Sequence, residues 1–90
     1  MALKAEHWPT SEQFAEVARI VGEAGQSFET LGICIGQLAT SNQWAATCRW
    51  WRGNTGMLSD GARLQSIEDT PRAAMAKLID RLRAEFGEAG

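Results

Sequence analysis

The sequence has a single histidine and two cysteines among its 90 residues, and these shortages limit the chemistry that it can carry out. A catalytic Cys–His pair would have to use His7, together with a third orienting group and an open site. Metal sites need closely spaced ligand pairs, which one histidine and two separated cysteines do not supply. Cys34 and Cys48 are too few for a disulfide framework and are expected to stay as thiols in a reducing cytosol. We therefore expect no metal, no other cofactor and no enzyme activity.

Signatures of membrane insertion, secretion and phosphate binding are also missing. The sequence has no apolar run of about 18 residues, which a membrane-spanning helix would need. Its first ten residues lack the apolar stretch and the small-residue cleavage site of a signal peptide. The segments "GNTG" and "SDG" are typical of turns, and neither matches a phosphate-binding loop. We therefore expect a cytoplasmic protein that does not contact a membrane.

The length of the chain suits one small domain with a single core. Four tryptophans and a hydrophobic content of 44% favour a folded domain over a disordered chain. The charge is uneven: residues 1–30 carry two basic and five acidic side chains, whereas residues 31–67 carry three basic and one acidic. No stripe of basic residues is present that would neutralise several phosphates. We predict one domain over residues 1–90, with flexible ends at 1–8 and 87–90.

Two segments have the pattern of amphipathic helices. The first, at about residues 10–24, begins with Thr10 and Gln13, which fit a capping box. The second, at about residues 71–86, follows Thr70 as a capping residue and starts with a proline, which is well tolerated in the first turn. Apolar residues recur at helical spacing in both segments. The predicted buried faces are Phe14, Val17, Ala18 and Val21 in the first helix, and Met75, Leu78, Ile79, Leu82 and Phe86 in the second.

The middle of the chain is rich in β-branched and aromatic residues and is interrupted by glycines. It predicts strands near residues 30–38 and 43–52, and a third strand in "DGARLQSI", entered through the turn at Asp60–Gly61. The fold class is then α+β, with two layers in the order helix, three-stranded antiparallel sheet, helix. The favoured pairing joins Leu38 to Trp44, Cys34 to Cys48 and Gly32 to Trp50. The alternative is an all-α fold, because Trp44, Cys48 and Trp51 also have helical spacing.

Two tryptophans stand side by side between two arginines in the segment "RWWR", residues 49–52. Because successive side chains of a strand point to opposite faces, Trp50 and Trp51 cannot share one core. Helices in a two-layer domain cover one face, so one tryptophan of the pair is expected on the open face beside an arginine. Tryptophan and arginine often dominate the binding energy of interfaces. The predicted partner-binding surface comprises Arg49, Trp50, Trp51 and Arg52, with Trp44 at the neighbouring hairpin end.

Three resemblances bear on function. The order of elements over residues 10–86 is similar to that of double-stranded-RNA-binding domains, but only Arg72 and Lys77 stand where that family has a strongly basic helix start. The segment "CRWWRGN" resembles the end of a helix-turn-helix recognition helix. Residues 69–82, "DTPRAAMAKLIDRL", resemble the acidic-Thr-Pro-x-x-Ala helix that ends small proteins of phages and mobile elements and HicB-type antitoxins. The last resemblance implies a small accessory protein that inhibits a host defence system by binding, as anti-CRISPR proteins do.

Taken together, the residues predict a small non-catalytic interaction protein. Its partner is expected to be another protein or a second copy of the same chain, most simply in a homodimer. Nucleic-acid binding is the alternative function. It would take the form of single-stranded bases stacking on an exposed tryptophan beside an arginine, or of a small transcriptional regulator.

Overall fold

The structure, a computed structural model, describes residues 3–51 and 61–87, and for residues 29–31 it describes the backbone only. In chain order the elements are a short 3₁₀-helix Ala5–His7, α1 Ser11–Glu23, β1 Ser27–Gln37, β2 Trp44–Trp51, β3 Gly61–Glu68 and α2 Pro71–Glu85. The three described strands form an antiparallel sheet in the order β1-β2-β3. The predicted α+β class, with helices before and after the sheet, is confirmed, and the all-helical alternative is wrong.

Both helices begin at the capping residues that the sequence indicates. The Thr10 hydroxyl accepts a hydrogen bond from the Gln13 backbone N–H at 3.1 Å, and the Gln13 side chain accepts one from the Thr10 N–H at 3.0 Å. This reciprocal pair is the predicted capping box. At the start of α2 the Thr70 hydroxyl accepts from the Ala73 N–H at 3.1 Å. Free backbone donors of the first turn are thereby satisfied in each helix.

The core lies between the two helices and one face of the sheet. From β2 it takes Ala46, Cys48 and Trp50, whose side chains alternate with those of the opposite face. The Trp50 ring meets the Phe86 ring edge to face, with centroids 5.2 Å apart. Of the predicted apolar stripe, Met75, Leu78, Ile79 and Leu82 are buried in α2, whereas Phe86 follows the helix and is half-buried against the core. The helices also contribute Val17, Ile20, Val21 and Ala74 to the core.

The buried face of α1 is rotated from the predicted one. Val17 and Val21 are buried as expected, but Phe14 is 37% exposed and Ala18 is also exposed. Ile20 takes their place in the core. The reason is that α1 packs mainly against α2 and only lightly against β1. The side of α1 that faces α2 is therefore the side that is buried. A 3.6-residue repeat permits both stripes, since they share Val17 and Val21.

The strand register differs by one residue from the favoured pairing. Gln37 pairs with Trp44, and Cys34 pairs with Thr47. The Leu38 N–H donates to the Gln43 carbonyl at 2.8 Å, so these two residues close the hairpin loop, in which Asn42 adopts a left-handed conformation with φ of 59°. Loop geometry sets the register, and a shift of one residue exchanges the faces.

The exchange of faces places the two cysteines on opposite sides of the sheet. Ile33, not Cys34, pairs with Cys48, and a bulge in β1 then brings Phe28 opposite Trp50 in place of Gly32. Cys48 faces the helices, whereas Cys34 faces away from them. Burial raises the pKa of the Cys48 thiol to about 11, so this thiol stays protonated near neutral pH. A protonated, buried thiol is a poor nucleophile. This agrees with the apolar residues around Cys48 in the sequence, which predict an unreactive thiol.

The chain ends, for which we expect flexibility, are partly described. Residues 1, 2 and 88–90 lie outside the described residues, as does Asp60 of the predicted turn. The N-terminal segment is held against α2 by Arg72, whose Nε donates to the Trp8 carbonyl at 2.8 Å. Its Nη2 donates to the Ala5 carbonyl at 3.3 Å. The short N-terminal helix is therefore attached to the helical layer.

A carboxylate on α1 joins the two helices. The Glu16 Oε2 atom lies 2.6 Å from an Arg19 guanidinium nitrogen on the same helix and 2.6 Å from Arg83 Nη2 on α2. Hydrogen bonds from Arg19 and then from Arg83 lower the pKa of this carboxyl to about 2, against an ordinary value of 4.5. The folded state therefore holds the Glu16 proton less tightly than the unfolded state does.

We predict that this ion pair makes stability depend on pH below about 4.5. A lowered folded-state pKa contributes stability that is fully present above the unfolded pKa and is lost as pH falls toward about 2. Glu16→Gln should remove this part of the pH dependence, which urea unfolding between pH 5 and pH 2 would measure. Glu12→Gln is the matched control, since Glu12 contacts no basic side chain in the described part of the chain. Superimposable pH profiles for the wild type and Glu16→Gln would contradict the assignment.

Candidate interaction surface

Alternation along β2 separates the two adjacent tryptophans. Trp50 is 3% exposed and belongs to the core beneath the helices. Trp51 is half-buried and points to the other face, on which neither described helix packs. We call this other side the open face. Its members among the described residues are Ser27, Cys34 and Gly36 from β1, Ala45, Thr47, Arg49 and Trp51 from β2, and Gly61, Arg63, Gln65 and Ile67 from β3.

Two arginines stand directly opposite each other on the open face. Arg49 in β2 is the cross-strand partner of Arg63 in β3. Neither guanidinium has a hydrogen-bond or ion-pair partner in the described part of the chain. Like charges directly opposite in a sheet are destabilising, by an amount within the 0.2–1 kcal/mol range typical of cross-strand pairs. The pair is therefore an unfavourable feature of the isolated fold.

Trp51 lies next to this pair. It is two residues from Arg49 on the same face, a spacing of about 7 Å along the strand. Its cross-strand neighbours are Ser27 on one side and Gly61 on the other. Both of these neighbours are small, and the indole is half-buried. We refer to Arg49, Trp51 and Arg63 as the arginine–tryptophan cluster.

The opposite end of the open face is uncharged. Ala45 and Thr47 are almost fully buried, although they point away from the helices. The Gln65 side chain donates a hydrogen bond to the Thr47 hydroxyl at 3.1 Å. Beyond it, Ile67 is 40% exposed. The face therefore changes from cationic and aromatic at one end to neutral and apolar at the other.

Of the four predicted surface residues that the structure describes, it brings two together. Arg49 and Trp51 share the open face, Trp50 is in the core, and Arg52 lies outside the described residues. Successive side chains of a strand point to opposite faces, so residues 49 and 51 lie on one face and residue 50 lies on the other. Arg63 is a member that sequence reasoning missed. Its pairing with Arg49 depends on the register between β2 and β3, which periodicity does not specify.

Trp44 belongs to a different region, which corrects its predicted grouping with Trp51. It points to the helix face, where its ring meets Trp8 edge to face with centroids 5.2 Å apart. It lies seven positions before Trp51, a distance of about 23 Å along the strand. Trp44 lines a small cavity of about 210 Å³ together with Leu3, Gln37, Asn42 and Asp69.

The described residues contain no grouping that suggests metal chemistry. Across residues 3–51 and 61–87, no three His, Cys, Asp or Glu side chains converge in a way that could hold an ion. The His7 Nδ1 atom accepts a hydrogen bond from the Lys4 backbone N–H at 3.1 Å, within the short N-terminal helix. In the same part of the chain, neither helix has the length and apolar character needed to cross a bilayer.

Comparisons with known proteins give no relative from which a function could be transferred. A function for the chain must therefore be argued from the geometry of the open face. No protein-family model, no curated protein and no solved structure matches this chain.

Proposed function

We propose that this chain is a non-catalytic binding module that receives a protein partner on the open face of its sheet. The observation that carries the proposal is the half-buried indole of Trp51, beside Arg49 on a face that neither described helix covers. Tryptophan and arginine at the centre of a contact surface commonly supply most of its binding energy. An indole that is already fixed on a strand loses little freedom on binding, which favours affinity.

The mixed character of the open face fits a protein better than a nucleic acid. A nucleic-acid strand is usually held by a groove with successive cations that follow its backbone. Among the described residues of the open face, the only cations are Arg49 and Arg63, and the far end presents Ile67. Protein interfaces combine apolar and aromatic area with a few charged or polar contacts, and the open face presents both kinds of side chain.

A second copy of the chain is a less suitable occupant than a different protein. In a symmetric dimer the same patch meets itself. The described open face offers no carboxylate to either arginine, so two copies face to face would leave four guanidinium groups without anions. The resemblance of residues 69–82 to small phage proteins supports searching for the partner among host defence proteins.

We expect Trp51→Ala to weaken binding of the partner without unfolding the chain. Loss of a central tryptophan commonly costs 2 kcal/mol or more, which corresponds to about 30-fold weaker binding. Immobilised wild type, Trp51→Ala and Lys77→Gln would be exposed to nuclease-treated extract of the cells in which the protein acts. Proteins retained by the wild type and by Lys77→Gln, but not by Trp51→Ala, would then be purified and titrated one to one.

Lys77→Gln is the control because Lys77 lies on α2, in the helical layer, where it pairs with Glu68 at 3.1 Å. A purified protein that binds the wild type about 30-fold more tightly than Trp51→Ala would support the proposal. A parallel capture from extract without nuclease tests the alternative function. Retention by the wild type that occurs only without nuclease would contradict the proposal in favour of nucleic acid. Light scattering that gives a dimer for the wild type and a monomer for Trp51→Ala would replace the separate partner with a second copy.

A further inference from the structure

We infer that Arg49 and Arg63 together form a binding site for carboxylates, so that the partner presents an acidic segment to the open face. The inference rests on the proposed function for the choice of the open face. It goes further by giving the chemistry of the occupant and by assigning a role to Arg63. A single exposed arginine is ordinary on a protein surface, whereas two arginines directly opposite each other can bind a carboxylate together.

The two arginines of the pair are placed side by side by the strand pairing. Directly opposed residues of antiparallel strands have Cβ atoms about 4.5–5.5 Å apart, so the two side chains rise side by side from one face. Each guanidinium is a planar fork of N–H donors that matches the two oxygens of a carboxylate. Two such forks in parallel can bind one carboxylate from both sides or two carboxylates on neighbouring positions of a peptide.

The cluster arginines differ from all other arginines that the structure describes. Arg19 and Arg83 contact Glu16, while Arg72 and Arg81 donate to backbone carbonyls, the latter to Gln65 at 2.5 Å. Only the two arginines of the cluster lack such a partner among the described residues. They are also the two that stand opposite each other, where the absence of an anion is most unfavourable.

The distribution of charge on the open face favours a carboxylate over a chain of phosphates. Only two residues of the described open face are cationic, and four residues beyond Arg63, about 13 Å along β3, the exposed side chain is Ile67. An extended polyanion would have to cross this neutral half without compensation. A peptide that carries acidic residues next to apolar ones would instead match both halves, with Trp51 beside the acidic contact.

The test uses a fluorescently labelled decamer of glutamate as the probe and the full chain at 20 mM salt. We expect Arg49→Gln and Arg63→Gln each to weaken binding about 10-fold. Lys77→Gln, which removes the same charge from the helical layer, should change it less than twofold. Arg63→Lys should restore the binding only in part, because lysine keeps the charge but lacks the planar fork. Binding by the wild type should fall steeply at 500 mM salt.

The free protein provides a second measurement that does not need a ligand. Removing one charge of the repelling pair should raise the melting temperature of Arg63→Gln above that of the wild type by about 1–5 °C at 20 mM salt. The difference should shrink at 500 mM salt, because screening weakens the repulsion in the wild type. The same scan shows that each variant is folded before its binding is compared.

Three results would overturn the inference. One is an equal effect of Arg63→Gln and Lys77→Gln on the glutamate decamer, which would mean that only net charge matters. Another is tighter binding of a single-stranded DNA of ten thymidine nucleotides than of the peptide, with the same dependence on both arginines. The occupant would then be a nucleic acid. The third is a lower melting temperature for Arg63→Gln at both salt concentrations. If Trp51→Ala still abolishes binding of the purified partner in any of these cases, the proposed function stands and only the carboxylate site fails.

Discussion

Replacement of Trp50 by alanine is expected to lower the free energy of unfolding by about 3–5 kcal/mol. The side chain is 3% exposed, packs edge to face on Phe86 and lies opposite Phe28 across the sheet. Truncation would remove the largest residue of the core and leave a cavity that rigid strands cannot close. Small domains have total stabilities of only about 5–15 kcal/mol, so the variant should be close to unfolded at 37 °C.

Trp51→Ala is the matched comparison, one residue away on the same strand. Because its indole is on the open face and has small neighbours, we expect a loss of less than about 1 kcal/mol. Urea unfolding followed by circular dichroism would measure both variants under one set of conditions. Similar losses for Trp50→Ala and Trp51→Ala would mean that both indoles are structural, and the open face would then lose its role as a contact surface.

Gly32→Ala is expected to lower the free energy of unfolding by about 1–3 kcal/mol, the usual cost of overpacking. A Cβ atom at position 32 would lie 2.7 Å from both the Cβ and Cδ1 atoms of Phe28. Real Cβ atoms do not approach neighbours so closely, so the Phe28 side chain would have to move. Phe28 packs against the core, and its displacement would disturb the contacts beneath Trp50 as well.

Gly36→Ala tests whether the cost at position 32 arises from the contact or from the glycine itself. Position 36 is on the same strand, and a Cβ atom there would meet nothing within 4 Å. Alanine should therefore be neutral or stabilise the strand by up to about 1 kcal/mol through reduced chain entropy in the unfolded state. Equal changes at positions 32 and 36 in thermal unfolding would show that Phe28 yields without cost, against the expectation.

The helices could be predicted well because their signals are local. Thr10 with Gln13, and Thr70, satisfy backbone groups within three residues of themselves, so their effect can be read from a short window. The apolar face of α1 was harder to predict. Whether Phe14 or Ile20 completes the stripe depends on where α2 lies, and that contact is between segments about 60 residues apart.

The sheet shows the limit of reading a single sequence. Strand positions follow from composition, but the register between β1 and β2 depends on the hairpin loop and on a bulge between Phe28 and Ile33. A bulge leaves no periodic signal, because it is an interruption of the periodicity. The same limit applied to the surface. Separation of Trp50 from Trp51 follows from alternation alone, whereas the pairing of Arg49 with Arg63 requires the register.

Alternation along β2 also affects how this chain can change over generations. Positions 46, 48 and 50 are constrained by the helices of the chain itself, whereas positions 49 and 51 face whatever lies outside it. Single substitutions at the outer positions can therefore alter what is bound while the core keeps its packing. Insertion or deletion of one residue within the strand would exchange the two sets at once. Point mutations can therefore change the binding preference of the open face, whereas a change in the length of the strand would disrupt the core.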